Sequence, residues 1–148
     1  MITITQMTPA HLQQVYDIES HSFSDPWALD EILWEIKSAI CHVAIINGQV
    51  AGYTVMRHII DEGHILNIAV HEDYRGSGIG SALMEGLIAT AHTREMASIT
   101  LEVRIGNRAA MALYHKYGFK VEGYRRGFYS YPTEDAAIMW KYIIPRGV

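Results

Sequence analysis

The sequence has little of what would set it apart from ordinary globular proteins. It contains a single cysteine, Cys41, so no internal disulfide can form. No apolar run approaches the roughly 20 residues of a membrane-spanning helix, and residues 1–5 lack the basic and apolar regions of a signal peptide. No long basic run is present, which argues against nucleic-acid binding. These absences predict a cytoplasmic protein without nucleic-acid or membrane partners.

Thiol and metal chemistry also have little support. Cys41 lies in an apolar, strand-like run, where a small buried residue is a more frequent explanation than a nucleophile. The eight histidines show no zinc-like pairing, such as two histidines four residues apart beside a glutamate. We therefore expect no metal site, and we expect Cys41 to belong to the core.

The composition suits one domain, over residues 1–148. Apolar residues make up 49% of the chain and charged residues 19%, close to the average of globular proteins. The net charge of −4 is compatible with a cationic substrate.

Hydrophobic periodicity and turn signals predict the element order β-α-α-β-β-β-α-β-α-β-β. Thr8 is a candidate N-cap with Pro9 at the first helical position, and Asn47-Gly48 is a strong hairpin signal. The predicted strands cover residues 2–6, 40–46, 50–58, 64–70, 98–104, 120–125 and 136–144, and the helices begin near residues 9, 29, 78 and 107. This order predicts an α/β (mixed α+β) fold in which helices cover both faces of a mixed sheet.

The segment Arg75-Gly76-Ser77-Gly78-Ile79-Gly80 lies between a predicted strand and a long amphipathic helix. Its glycines lack a Cβ, which lets a ligand approach the backbone closely. The first turn of a helix offers free N–H donors and a positive dipole end, which suit a phosphate, and Arg75 could add a charged contact. A plain turn leading into a helix is the alternative.

Two other phosphate-binding loops do not fit this segment. No Gly-Lys-Ser/Thr follows, as a P-loop requires. The dinucleotide fingerprint fails because Ser81 stands at its last glycine position, and because about five residues separate the strand from Gly76. A pyrophosphate-binding loop of another kind remains.

A second group of polar residues follows on a predicted strand. Alternation places Leu101 and Val103 on one face of this strand, and Glu102 and Arg104 on the other. A carboxylate in an internal strand is costly unless it is paired or used. Glu102 is therefore either half of a structural ion pair, for instance with Arg104, or a functional residue.

The helix after this strand carries two more candidates. Asn107 is well placed to cap it, and Tyr114 lies two turns further along the same face. On pattern alone, an aromatic residue at Tyr114 is more often part of the core than a catalyst. Gly118 is a natural end for the helix.

These segments together resemble the GNAT superfamily of acetyltransferases. Residues 67–70 and 74–80 are similar to its acetyl-CoA motif, whose core is Arg/Gln-x-x-Gly-x-Gly/Ala. The resemblance implies the GNAT fold, a central, mostly antiparallel mixed sheet of about seven strands with helices on both faces and a splayed central pair. It also implies that loop amides hold the pyrophosphate, and that a backbone N–H near Ile68 or Val70 faces the thioester oxygen. The implied cofactor-binding residues are Ile68, Ala69, Val70, Arg75, Gly76, Ser77, Gly78, Ile79, Gly80, Ser81, Asn107 and Tyr114.

Residues 101–114, followed by Tyr-Gly-Phe at 117–119, resemble the RimI-type ribosomal-protein alanine N-acetyltransferase branch of this superfamily. In that branch the matching glutamate is the general base and the matching tyrosine the general acid, roles that fall on Glu102 and Tyr114. An α-amine has a pKa of about 7.7–8.0, so a modest base suffices. The amine would attack the thioester directly, and the tyrosine hydroxyl would protonate the leaving thiolate.

Two loops resemble the acceptor side of the same branch. Residues 23–27, Phe-Ser-Asp-Pro-Trp, match a pattern between the first two helices, and residues 125–139 match a tyrosine-containing pattern that ends in Glu-Asp-Ala-x-x-Met. The resemblance implies that Trp27 and either Tyr129 or Tyr131 contact the acceptor, because the tract after Tyr129 is compressed relative to the pattern. Trp27 could instead anchor the helical pair.

We therefore expect an acetyl-CoA-dependent Nα-acetyltransferase, a monomer or weak homodimer, that modifies a protein N-terminus such as the alanine of a small-subunit ribosomal protein. A GNAT enzyme for a small amine (a polyamine, an amino acid or an aminoglycoside) is one alternative. A non-catalytic acyl-CoA-binding module is another, and the presence of both Glu102 and Tyr114 argues against it.

Overall fold

The computed structural model describes residues 1–143, which form a sheet of seven strands with four α-helices. The strands are β1 (Thr3–Gln6), β2 (Ile40–Ile46), β3 (Gln49–Ile59), β4 (Glu62–Val70), β5 (Ser98–Arg104), β6 (Lys120–Tyr129) and β7 (Glu134–Tyr142). The helices are α1 (Leu12–Ser22), α2 (Leu29–Ser38), α3 (Ile79–Thr93) and α4 (Arg108–Lys116). No helix within residues 1–143 is long and apolar enough to cross a membrane.

The sheet opens into a fork at its centre. Its strand order is β1-β2-β3-β4-β5-β7-β6, and every neighbouring pair is antiparallel except β4 with β5. The parallel pairing joins residues 62–65 to residues 98–101 and ends there, although β4 continues to Val70 and β5 to Arg104. The carboxyl-terminal halves of these two strands are the arms of the fork, and the predicted mixed, mostly antiparallel sheet is confirmed.

Helices cover both faces of the sheet around the fork. On one face, α1 and α2 pack through Val15, Ile18 and Ile32 against Tyr53 and Val55 of β3. This face also buries Cys41, as the apolar run around it predicted.

The opposite face carries α3 and α4, which pack on the central and later strands. The members of this cluster include Leu87, Tyr114, Leu101, Val103 and Met139. Because Leu101 and Val103 face α3 and α4, Glu102 between them faces the side of α1 and α2. The predicted alternation along β5 is confirmed, and it places Glu102 and Tyr114 on opposite faces at the fork.

The first helical segment begins at the predicted residues, with Thr8 as its N-cap and Pro9 in first position, although its first turn is a 3-10 turn. The first hairpin is also as predicted. Asn47 and Gly48 form the turn between β2 and β3, with φ of 50° and 74°. Thr8 precedes a short 3-10 turn, Pro9–His11, and α1 begins only after it. The backbone N–H of Thr8 donates to Nδ1 of His11 at 3.0 Å, so a histidine closes this turn.

The last hairpin is longer than the sequence predicted. The strand predicted over residues 120–125 continues to Tyr129, because a bulge lets it resume pairing where Tyr129 meets Glu134. The final strand ends at Tyr142, and Ile144, the predicted end, lies outside the described residues. The extra length of β6 brings Tyr129 to the mouth of the fork.

Candidate active site

A cleft of about 1020 Å³ opens between the arms of the fork. β4 contributes residues 65–70 to its wall, and β5 contributes residues 101–104. The loop after α1, the start of α3, one side of α4 and residues 128–130 complete the lining. Because these elements lie on both faces of the sheet, the cleft reaches both faces.

The glycine loop forms one end of the cleft. Gly76 and Gly78 have φ of 78° and 84°, values that favour glycine, and no atom lies within 4 Å of a Cβ built on either. Gly78 directly precedes α3, and no side chain among the described residues caps that helix end. The first N–H groups of α3 are therefore available to an anionic ligand.

The third glycine has another explanation. A Cβ on Gly80 would lie 3.1 Å from Cδ2 of Leu113, so this glycine allows α3 and α4 to approach closely. Ser77 lies outside the cleft lining, and its backbone N–H donates to the Tyr74 carbonyl at 3.3 Å. Arg75 and Ser81 both line the cleft.

A second cation stands near the glycine loop. The ammonium group of Lys116, at the end of α4, donates to the hydroxyl of Ser81 at 3.1 Å. Arg75 and Lys116 thus flank the amino-terminal end of α3 from different elements. Sequence reasoning missed Lys116, because only the packing of α4 on α3 brings it to the loop.

The β4 arm presents its backbone to the cleft. Ile68, Ala69 and Val70 all line it. Their other edge pairs with β3, but beyond Ile65 no described strand pairs with β4 on the cleft side. An open strand edge offers N–H and C=O groups to an extended ligand.

Glu102 lines the cleft from the β5 arm, and its partner is a histidine. Its Oε2 lies 2.8 Å from Nε2 of His64 on β4, and its Oε1 lies 3.7 Å from Nε of Arg125. The hydrogen bond from His64 is the main cause that lowers the pKa of Glu102, and partial burial acts in the opposite direction. The carboxylate is therefore ionised at neutral pH. The structural pair that the sequence allowed for Glu102 is present, but its partners are His64 and Arg125 and not Arg104.

Tyr114 reaches the cleft from α4. It is 5% exposed, and its ring packs against Phe119 with the centroids 6.0 Å apart. Burial raises the pKa of Tyr114, and the neighbouring Tyr129 adds to this effect. Tyr114 is both a core residue and a lining residue, so the two readings of the sequence are compatible.

Asn107 caps α4 as predicted. Its Oδ1 accepts the backbone N–H of Ala110 at 3.2 Å, and the residue also lines the cleft. Its side-chain nitrogen makes no hydrogen bond that involves another described residue. One residue can therefore end the strand-to-helix turn and still offer a donor to a ligand.

The two tyrosines proposed for the acceptor side are placed differently. Trp27 and Tyr129 line the cleft, whereas Tyr131 is 76% exposed and lies outside the lining. Burial raises the pKa of Tyr129 to about 12, with Glu102 as the next cause. The structure therefore brings Trp27 and Tyr129 together and leaves Tyr131 apart.

Arg104 explains why Tyr129 faces inward. Its guanidinium lies over the Tyr129 ring, 4.5 Å from the centroid, and pairs with Glu134 at 3.1 Å. It also donates to the carbonyls of Ser130 and Pro132, both at 2.9 Å. Arg104 thus holds the β6–β7 turn over the β5 arm.

A carboxylate that sequence reasoning missed lines the cleft beside Trp27. Glu19 of α1 is 1% exposed and lines the cleft. Its Oε1 accepts the Tyr53 hydroxyl and the side-chain N–H of Asn67 at 2.7 Å, and its Oε2 accepts the backbone N–H of Trp27 at 2.9 Å. The available signal was helical spacing, since Glu19 follows Val15 by four residues on the buried face of α1.

Cys41 is not part of the cleft. It is 3% exposed, and its thiol donates to the Glu35 carbonyl at 3.3 Å. Burial raises its pKa to about 12, with Glu35 as a second cause, so the thiol is protonated at neutral pH. In residues 1–143, no group of three or more acidic, cysteine or histidine side chains is arranged to hold a metal ion.

Known proteins are similar to this chain in both sequence and fold. A ribosomal protein bS18-alanine N-acetyltransferase of Escherichia coli (strain K12) is 35% identical over 144 residues, which cover 94% of this chain and 96% of that protein. The crystal structure of the ribosomal-protein-S18-alanine N-acetyltransferase from Escherichia coli matches with a TM-score of 0.91 at 34% identity, over 99% of this chain and 97% of that one.

A second structure and a family match agree with these. Ard1 from Thermoplasma volcanium superposes with a TM-score of 0.90 at 31% identity, over 97% of this chain and 99% of that one. Residues 10–119 match the acetyltransferase (GNAT) family. This match covers more than half of the chain and contains the glycine loop, Glu102 and Tyr114. The chain therefore belongs to the GNAT family of acetyltransferases.

Proposed function

We propose that this enzyme is an Nα-acetyltransferase that moves the acetyl group of acetyl-CoA to the N-terminal amine of a protein. The observation that carries the proposal is the fork cleft, where the glycine loop, Glu102 and Tyr114 line one continuous space. The Escherichia coli relative is named for ribosomal protein bS18 and alanine. This supports the N-terminal alanine of a ribosomal protein as the acceptor, and with it a cytoplasmic enzyme.

Acetyl-CoA would lie along the glycine loop and the β4 arm. The N–H groups at the start of α3 suit the pyrophosphate, with Arg75 and Lys116 as nearby cations. The open edge of Ile68 to Val70 suits the extended pantetheine chain, and Asn107 offers a further donor. Acetyl-CoA supplies the activated thioester, and a backbone N–H of the β4 arm would stabilise the developing oxyanion.

Glu102 is the base in this proposal. It is ionised because the hydrogen bond from His64 lowers its pKa, so it can take the amine proton directly or through a water. A carboxylate is a weak base, but it suffices because the α-amine has a pKa of about 7.7–8.0 and loses its proton readily near neutral pH.

Tyr114 is the acid. Its raised pKa keeps the hydroxyl protonated. As the amine nitrogen bonds to the thioester carbon and the C–S bond breaks, the phenolic proton passes to the sulfur. Neither step needs a covalent bond to the enzyme, which agrees with the buried position of Cys41.

Trp27 and Tyr129 would bind the first residues of the acceptor. Both line the cleft, and Arg104 holds Tyr129 in place. All of these groups belong to one chain, so a monomer contains a complete site.

The test is an acetylation assay with pairs of peptides that have free or blocked N-termini, read by mass spectrometry. We expect acetylation only of free N-termini. Equal rates on both members of a pair would reject α-amine specificity, and transfer to polyamines or aminoglycosides alone would favour a small-amine enzyme. If the protein binds CoA tightly but cleaves the thioester with none of these amines, it is a binding module.

Variants test the two roles. Glu102→Gln and Tyr114→Phe should each reduce kcat by about 10²-fold or more, within the range for general acid–base groups, and leave CoA affinity largely unchanged. The exposed residues Glu72 and Tyr124 provide matched controls, because Glu72→Gln and Tyr124→Phe make the same chemical changes outside the cleft. Full activity of both cleft variants would contradict the assignment.

A further inference from the structure

Glu19 is a buried carboxylate that faces only neutral partners. It is 1% exposed, and no ion pair joins it to a cation among the described residues. Its oxygens accept hydrogen bonds from the Tyr53 hydroxyl, the Asn67 side chain and the Trp27 backbone. Burying a carboxylate without a cation is costly, so a position that needs only a structural hydrogen bond would be served better by a neutral acceptor.

The three donors come from different parts of the fold. Tyr53 lies on β3 and Asn67 on β4, immediately before Ile68 of the cleft wall. Trp27 lies in the irregular segment 23–28 that joins α1 to α2. Strands β3 and β4 are held together by their own ladder, whereas segment 23–28 has no ladder of its own.

We propose that Glu19 is a positioning residue that fixes segment 23–28, and with it Trp27, against the β4 arm for binding of the acceptor N-terminus. Tyr53 and Asn67 hold the carboxylate, and the carboxylate holds the Trp27 backbone. The inference rests on the proposed function, because it assigns Trp27 to the acceptor. Glu19 acts through Trp27 and takes no part in proton transfer.

Glu19→Gln is a sharp test because it preserves the size of the side chain and changes only its hydrogen bonding. A carboxylate accepts at both oxygens, whereas an amide accepts at one atom and donates at the other. With Tyr53 and Asn67 on Oε1, the amide nitrogen would meet the Trp27 N–H. The variant should therefore loosen segment 23–28 at Trp27 while the two strands remain paired, although Ser24 keeps its contacts with Arg104 and Ser130.

We expect Glu19→Gln to raise the KM for a free N-terminal peptide by about tenfold, since hydrogen bonds to charged groups are among the stronger ones. The Kd for acetyl-CoA, measured by calorimetry, should not change, because the glycine loop and the backbone of β4 are untouched. An unchanged peptide KM, or an equal loss of acetyl-CoA affinity, would overturn the proposal.

A double-mutant cycle separates action through Trp27 from general damage. If Glu19 acts through Trp27, then Glu19→Gln should add nothing to the peptide KM once Trp27→Ala is present. If the two substitutions instead raise the peptide KM by factors that multiply in the double variant, the proposal is overturned. If Glu19→Gln does not fold, Tyr53→Phe is the alternative, because Tyr53 lies outside the cleft lining and donates one hydrogen bond to Glu19. This variant should raise the peptide KM by a smaller factor, and an unchanged KM would again overturn the proposal.

Hydrogen exchange provides a readout that needs no turnover. The backbone amides of segment 23–28, which exclude the one at Pro26, should exchange faster in Glu19→Gln than in the wild-type enzyme, and the control Glu72→Gln should leave them unchanged. Unchanged exchange in Glu19→Gln overturns the positioning role. Failure of the wild-type enzyme to acetylate any free N-terminus would contradict the proposed function instead, so the two failures are distinct.

Discussion

Replacing Gly78 by alanine should weaken acetyl-CoA binding through the backbone alone. Gly78 has φ 84° and ψ 10°, and no atom lies within 4 Å of a Cβ built there. The substitution therefore causes no clash, and its cost is the left-handed conformation, about 1–2 kcal/mol for a residue with a Cβ. Because the loop is exposed, we expect a local rearrangement to relieve this strain in the free protein, and ligand binding must then reverse it.

The Kd for acetyl-CoA should rise by about 5- to 30-fold, the factor that corresponds to 1–2 kcal/mol. Isothermal titration calorimetry on the two proteins measures it. Gly48 is a matched control, because it has φ 74° and equally open space but lies in the β2–β3 hairpin. Gly48→Ala should lower the melting temperature by about 2–8 °C and leave the Kd unchanged. Equal Kd values for all three proteins would refute the link between loop conformation and binding.

His64→Leu should move the acid limb of the kcat–pH profile to higher pH, because the hydrogen bond from His64 is the main cause that lowers the pKa of Glu102; an unmoved limb would contradict this. Arg57→Leu leaves Glu35, which is 3% exposed, without its cation. Urea denaturation should show that the free energy of unfolding falls by about 1–3 kcal/mol, less than for a fully buried pair because Arg57 is half-exposed. An unchanged urea midpoint would count against a stabilising role for the Arg57–Glu35 pair. Cys41 should resist iodoacetamide in the native enzyme at neutral pH, because burial raises its pKa to about 12, and Cys41→Ala should retain acetyl transfer; rapid labelling or lost activity would contradict both expectations.

The sequence was most informative where structure depends on neighbouring residues. The alternation along β5, the Asn107 cap and the Asn47-Gly48 turn are local features, and all three are confirmed. The glycine loop is local too, and its position between a strand and α3 is confirmed. The chemical roles of Glu102 and Tyr114 remain proposals.

Contacts between distant parts of the chain could not be predicted. A shared strand face suggested a pair between Glu102 and Arg104, but strands bring closer partners from elsewhere. His64 reaches Glu102 from β4, and Glu134 reaches Arg104 from β7. The same holds for Glu19, whose spacing on α1 indicated burial but not the partners that burial would bring. Hydrophobic periodicity records which side of an element is inside, not which elements meet there.

The open fork has a consequence for how a large acceptor can be handled. The cleft is lined by α3 and α4 on one face of the sheet and by the α1–α2 segment on the other. In the proposed reaction, acetyl-CoA and the acceptor amine enter the cleft from opposite faces of the sheet, so neither blocks the route of the other. CoA can then leave from the face at which acetyl-CoA entered. Binding of the next acetyl-CoA does not depend on how slowly a bulky acceptor dissociates.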